Sequence, residues 1–244
     1  MLLLIGAGVG AGLCGSVAGL ASLVSYPALL ATGLGPVEAN VTNTVALVFS
    51  TAGSMLGSRV ELQGQRSAVV RLGLAAVAGG AAGAALLLVT SPETFERIAP
   101  WLIGGASLAI LLRQRIEHEV AGASHRAGPW LLGSVFLVGV YGGYFGAAAG
   151  VVLLALLLAA TRDTLARSNA LKNAVLGIAN ATAALGFVLL GPVDWAAGAP
   201  LAAGLLAGAR LGPAVVRRTD ARLLRTLIGL AGLGLAVTLA VQAY

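Results

Sequence analysis

The chain has 244 residues, of which 58% are hydrophobic and 10% are charged, whereas a soluble domain carries about 25% charged residues. So little polar material cannot cover the surface of a soluble fold, and the polar stretches between apolar runs are too short to form a soluble domain of their own. The formal net charge of +6 comes from arginines grouped between apolar runs, which is the pattern of cytoplasmic loops and not of a nucleic-acid-binding surface.

Eight apolar segments follow in chain order, at 2–32, 37–58, 68–90, 98–112, 129–160, 164–191, 195–216 and 223–243. Several are near or above the roughly 20 residues that cross a bilayer. The first opens MLLLIGAGVGAGLCGSVAG and lacks the charged n-region of a secretory signal, so it is read as part of the membrane domain. Cys14 is the single cysteine and is expected to pack as a small side chain. Segments 2–32 and 129–160 are longer than the rest. As one helix each would run about 46 Å at 1.5 Å per residue, against a hydrocarbon core of about 30 Å. Their middles are rich in small residues, GSVAGLAS (15–22) and YGGYFGAAAG (141–150), which predicts a broken or re-entrant helix in each.

The polar stretch RQRIEHEVAGASHRAG (113–128) separates a first repeat, 1–112, from a second, 129–244. It carries His118 and His125, at a spacing that marks no metal site. EANVTNTVAL (38–47) aligns with RSNALKNAVL (167–176), pairing Asn40 with Asn169, Asn43 with Lys172 and Thr44 with Asn173; at the same offset Thr51 meets Asn180. GLASLVSYPALL (19–30) resembles GAAAGVVLLALL (146–157). Arginines flank three loops: Arg59, Arg66 and Arg71; Arg113, Arg115 and Arg126; and Arg210, Arg217, Arg218, Arg222 and Arg225. The positive-inside rule puts all three in the cytoplasm, with 113–128 as a cytoplasmic linker. Each long segment then begins and ends on one side, the first outside and the second inside. The fold expected is an all-α polytopic membrane protein of two repeated, inverted halves of about four hydrophobic segments each, an architecture common in secondary transporters.

The stretch SNALKNA (168–174) holds the only lysine of the chain. On a helix Asn169, Lys172, Asn173 and Asn180 share one face, and Asn40, Asn43, Thr44 and Thr51 form the matching face of the first half, with Ser54 nearby. Isolated Asn and Thr in a membrane are commonly interhelical hydrogen-bonding groups. Two matched faces at the start of the same segment point instead to a site. Lys172 has two readings: it snorkels past Arg167 to the cytoplasmic surface, or it supplies the charge of an anion site. Glu38, Asp163 and Asp194 lie at segment ends and no carboxylate lies deep in an apolar run, which favours an anion over a cation.

YGGYFGAAAG, SNALKN, GPVDW (191–195) and VTNTVAL (41–47) together resemble the sulfite exporter TauE/SafE family, also called the toluene-sulfonate uptake permeases. The resemblance covers nearly the whole chain and is strongest at Tyr141–Gly146, Arg167–Asn173, and Asn40 with Thr42–Leu47. It implies a carrier of sulfite, sulfonates or related organosulfur anions in a bacterial inner membrane. Asn40, Asn43, Thr44, Lys172 and Asn173 are expected to line a central anion site, with Ser22 and Tyr144 near the hairpin tips. Asn169, Thr51, Asn180, Tyr26 and Tyr141 are candidates of second rank. No cofactor, metal or nucleic acid is expected. The partners are the anion and the bilayer, and the small-residue faces suit a homodimer. The alternative is a passive anion channel. An enzyme would need a GxSxG elbow, an HExxH motif or paired catalytic carboxylates, and the sequence has none. A Schiff-base chromophore on Lys172 would need an aromatic pocket, in a chain with 5% aromatic residues.

Overall fold

The computed structural model describes residues 1–112, 129–161, 163–216 and 221–243; the linker 113–128, with His118 and His125, lies outside them. Among the described residues the regular structure is helical. The helices are α1 (Leu2–Ala18), α2 (Ala21–Leu30), α3 (Pro36–Gly57), α4 (Arg66–Val89) and α5 (Pro92–Leu111). They continue as α6 (Pro129–Tyr144), α7 (Ala149–Ala160), α8 (Leu165–Leu190), α9 (Trp195–Val216) and α10 (Ala221–Ala243).

Local sequence sets the helix starts. Gly35 is extended and Pro36 takes the first helical position of α3, where its missing N–H is no loss. Ser91 Oγ accepts from the Thr94 amide at 3.3 Å at the head of α5. The Thr164 side chain caps α8 by accepting from the Arg167 amide, and Asp194 accepts from the Ala197 amide at 2.9 Å at the head of α9. These side chains satisfy amide donors that an isolated helix end leaves open.

Each long segment is two helices. The first breaks at Gly19, whose φ of 72° is left-handed and whose amide donates to Gly15 O at 2.9 Å. The second breaks over residues 145–148, with left-handed backbone at Gly146 (φ 77°) and Ala148 (φ 58°). The two breaks touch: a Cβ added to Gly19 would lie 2.6 Å from the Cα of Gly150, and one added to Gly150 equally close to the Cα of Gly19. No residue with a side chain fits at that meeting point.

Around the breaks the packing uses the same device twice. α1 packs on α9, and α4 on α6. In the first pair Gly8 and Gly12 face Gly204 and Gly208; in the second Gly79 and Gly83 face Gly139 and Gly143. At Gly12, Gly208, Gly79 and Gly83 an added Cβ would sit 2.1–2.4 Å from a carbonyl oxygen of the facing helix. The backbones are in direct contact, as small-xxx-small pairs allow between membrane helices. α3 and α8 pack on each other, α3 also on α9, and α8 also on α4; α5 pairs with α10. Large apolar side chains, among them Leu74, Leu137, Leu185, Leu189 and Val237, point outward and are exposed, as suits helices bathed in lipid. α4 and α8 are long and apolar enough to cross a membrane by length and composition.

Candidate functional site

α3 and α8 carry the polar side chains into this frame. Between them and the two helix breaks lies a cavity of about 60 Å³, several times the roughly 10–15 Å³ that a single water needs. Lys172, Asn173 and Asn180 line it from α8, and Ser50, Thr51 and Ser54 from α3. The break of the first half adds Gly19, Ala21 and Ser22; that of the second adds Gly146, Ala149 and Gly150. Among the described residues, none that lines the cavity carries a carboxylate. Ala21 and Ser22 open α2, and Ala149 and Gly150 open α7. Their N-cap residues, Leu20 and Ala148, make no side-chain cap hydrogen bond. The cavity thus receives two helix N-termini, each with partial positive charge; the Ala149 amide already donates to the Gly146 carbonyl at 3.2 Å.

Lys172 is completely buried and its ammonium donates to Asn169 Oδ1 at 2.8 Å. Of its two readings, snorkelling is therefore set aside: the side chain reaches no surface. Arg167, five residues earlier, occupies the surface position instead. Its guanidinium lies 3.0 Å from Asp163 and 3.2 Å from the Gln63 carbonyl, while Gln65 donates to the Arg167 carbonyl at 3.1 Å. These contacts tie the start of α8 to the loop that precedes α4, and Lys172 sits beneath them.

The asparagines hold the breaks together. Asn169 and Asn173 both donate to the Ser16 carbonyl, at 3.0 and 3.2 Å, near the end of α1. Asn40 donates to the Tyr144 carbonyl at 2.8 Å, at the end of α6. A helix that stops inside a membrane leaves carbonyls without partners, and here an asparagine of each half supplies the donor to the other half. Asn43 donates to Ser22 Oγ at 3.3 Å and accepts from Ser25 Oγ, which fixes α2 against α3. Thr44 Oγ1 donates to the Asn40 carbonyl at 3.0 Å. Tyr141 Oη donates to the Ala147 carbonyl at 2.6 Å and so clasps the second break. The Tyr144 ring packs against Phe95 with centroids 5.8 Å apart. Thr42, fully buried, accepts from the Asp194 amide at 2.9 Å.

The expected residues thus fall into two groups. Ser22, Thr51, Lys172, Asn173 and Asn180 come together on the cavity wall. Asn40, Asn43, Thr44, Asn169, Tyr141 and Tyr144 are not on that wall and are engaged with the breaks or with helix backbone; Tyr26 lines a different cavity. Ser50 was not anticipated. Its signal was available: it lies four residues before Ser54 and three after Leu47, both on the same wall. The glycines on the wall could not be chosen from sequence among 35 in the chain.

Residues 4–239 match the family model for the sulfite exporter TauE/SafE. The chain is similar to the probable membrane transporter protein YfcA of Escherichia coli (strain K12), 28% identical over 219 residues that cover 89% of this chain and 81% of that protein. It is also similar to the probable membrane transporter protein ORF9 of Sinorhizobium sp, 25% identical over 238 residues, 94% of this chain and 88% of that one. A probable membrane transporter protein of Haemophilus influenzae is 26% identical over 226 residues, 87% and 84% of the two chains. No solved structure matches the chain significantly. With all but its ends matched, the chain belongs to the sulfite exporter TauE/SafE family of membrane transporters.

Proposed function

We propose that the protein is a secondary transporter that moves small sulfur-containing anions, such as sulfite or sulfonates, across the bacterial inner membrane by alternating access. The observation that carries this reading is the cavity wall: one buried lysine, two helix N-termini, and amide and hydroxyl side chains, without a carboxylate among the described residues. Such a wall suits an oxyanion, whose oxygens accept from all of these donors. The apolar surface of the helices and the family support a chain that crosses the membrane several times. It has no catalytic role in this reading.

The repeated packing supports two inverted halves, 1–112 and 129–244, joined by a cytoplasmic linker at 113–128. α1 on α9 and α6 on α4 use the same spaced glycine pairs, and α3 and α8 meet each other. A two-fold relation that exchanges the halves would generate this pattern, and the anion site near its axis takes its charge from one half alone, since Lys172 stands where the first half has Asn43. Rocking one half against the other about that axis would open the cavity to each side in turn. The sequence alternative, a passive anion channel, uses the same wall. The experiment that separates them is counterflow in proteoliposomes preloaded with unlabelled isethionate. A carrier gives saturable exchange of labelled isethionate with no steady current; a channel gives current and no exchange overshoot.

A further inference from the structure

A second cavity, of about 240 Å³, lies beside α2 and is lined by Tyr26, Pro36, Glu96, Ala99, Leu239 and Ala243. Two features set it apart from an ordinary packing gap. Tyr26 is 1% exposed, and its hydroxyl has no hydrogen-bond partner among the described residues. Leaving a buried hydroxyl unsatisfied is unfavourable, so an occupant that bonds to it is favoured. Glu96, an exposed residue of α5, also lines this cavity. The Glu96 carboxylate repels an anion, and an apolar occupant would leave the Tyr26 hydroxyl unsatisfied; the carboxylate takes up a proton or ligates a small hard cation, and the hydroxyl oxygen can join it as a neutral ligand or the hydroxyl donate to it. Among the described residues, none that lines this cavity is basic. The charged groups nearby are Glu93 and Arg97, flanking Glu96 on α5, and Glu38, in the first turn of the helix that Pro36 opens. Leu239 and Ala243 bring no charge from α10.

The cavity also has a mechanical link to the anion site. Tyr26 lies one turn beyond Ser22 on the same face of α2. Ser22 lines the anion cavity and accepts from Asn43. The Tyr26 ring meets Phe145, in the second break, edge-on at 5.4 Å. A ligand that draws Tyr26 toward Glu96 therefore pulls on α2 and on both breaks at once. We propose that the Tyr26–Glu96 cavity is a second site, for a proton or a sodium ion, whose occupation is coupled to transport of the anion. The proposal rests on the transporter reading above.

The test uses the purified full chain in proteoliposomes and isethionate as the probe. A sulfonate keeps its charge across the neutral range, so any effect of pH falls on the protein. Two assays run side by side: counterflow exchange without a cation gradient, and accumulation driven by an imposed proton gradient or an imposed sodium gradient. Wild type is expected to accumulate isethionate with one of the two gradients, and which one identifies the cation. Glu96→Gln is expected to exchange at wild-type rate within about two-fold and to lose gradient-driven accumulation by ten-fold or more. Tyr26→Phe keeps the ring against Phe145 and removes only the hydroxyl; it is expected to reduce accumulation in the same direction. Wild type that exchanges but responds to neither gradient overturns the second site and leaves the transporter reading standing. So does Glu96→Gln that accumulates like wild type, or that loses exchange and accumulation together. Wild type that exchanges neither isethionate nor sulfite overturns both.

Discussion

At the scale of single residues, the polar side chains in this membrane protein do two different jobs. Some line the cavity; others close hydrogen bonds that the broken helices leave open. Asn40 belongs to the second kind through its bond to the Tyr144 carbonyl. Asn40→Ala removes the donor and leaves that carbonyl unsatisfied among buried side chains, so it is expected to destabilise the protein by about 1–2 kcal/mol, the upper range for hydrogen bonds between membrane helices. A lower melting temperature of the detergent-solubilised protein is the expected readout, and a melting temperature unchanged from wild type would show that the bond is dispensable. Sequence alone could not separate the two jobs. Asn40 and Asn173 look alike on a helical face, and only the position of the breaks, set by contacts between residues more than a hundred apart, tells which one meets a carbonyl and which one also meets the cavity. Lys172 was readable as an oddity because it is the only lysine. Its burial was not, because a long side chain near a helix start can snorkel in either direction.

At the scale of elements, the breaks are the structural decision on which the site depends. Their existence was readable from length against bilayer thickness and from the small-residue clusters, since both are local. Their contact with each other was not. Gly19 combines a left-handed backbone with a neighbour that leaves no room for a Cβ. Gly33 is also left-handed, with φ 92°, but an added Cβ meets nothing within 4 Å. The pair makes a controlled comparison. Gly33→Ala should lose only the backbone preference, about 1–2 kcal/mol, and keep transport. Gly19→Ala must in addition push α7 away from α2, and counterflow is expected to fall by at least ten-fold. Equal activity of the two variants would mean that the breaks need not touch. The spaced glycines give a second comparison: Gly83→Ala places a methyl 2.1 Å from the Val140 carbonyl oxygen and should separate α4 from α6, whereas Gly105→Ala, with nothing within 4 Å, should be silent in thermal stability.

At the scale of the whole molecule, the class of protein followed from composition: an apolar chain with arginines gathered between its segments has few homes other than a membrane. The proposed internal repeat rests on the alignment of 38–47 with 167–176. That alignment is visible because the polar residues of the two helix starts share a spacing. The glycine pairs of α1, α4, α6 and α9 repeat just as regularly, but they are lost among many other glycines until their partners are known. The proposed inversion of the halves would place both ends of the chain outside the cell, a consequence open to direct check. A single cysteine added at the C-terminus of a Cys14→Ser variant should react with a membrane-impermeant maleimide in intact cells; labelling only after lysis would reverse the assignment. The central claim is that the buried lysine is the charge of an anion site, and the most direct measurement is calorimetric binding of sulfite and isethionate to purified wild type and Lys172→Gln. The glutamine keeps a donor for Asn169 and removes the charge. A hydrogen bond to a charged group contributes about 1.5–3 kcal/mol, so affinity is expected to fall at least about ten-fold while the melting temperature stays near that of wild type. Unchanged affinity in a folded Lys172→Gln protein would contradict the account.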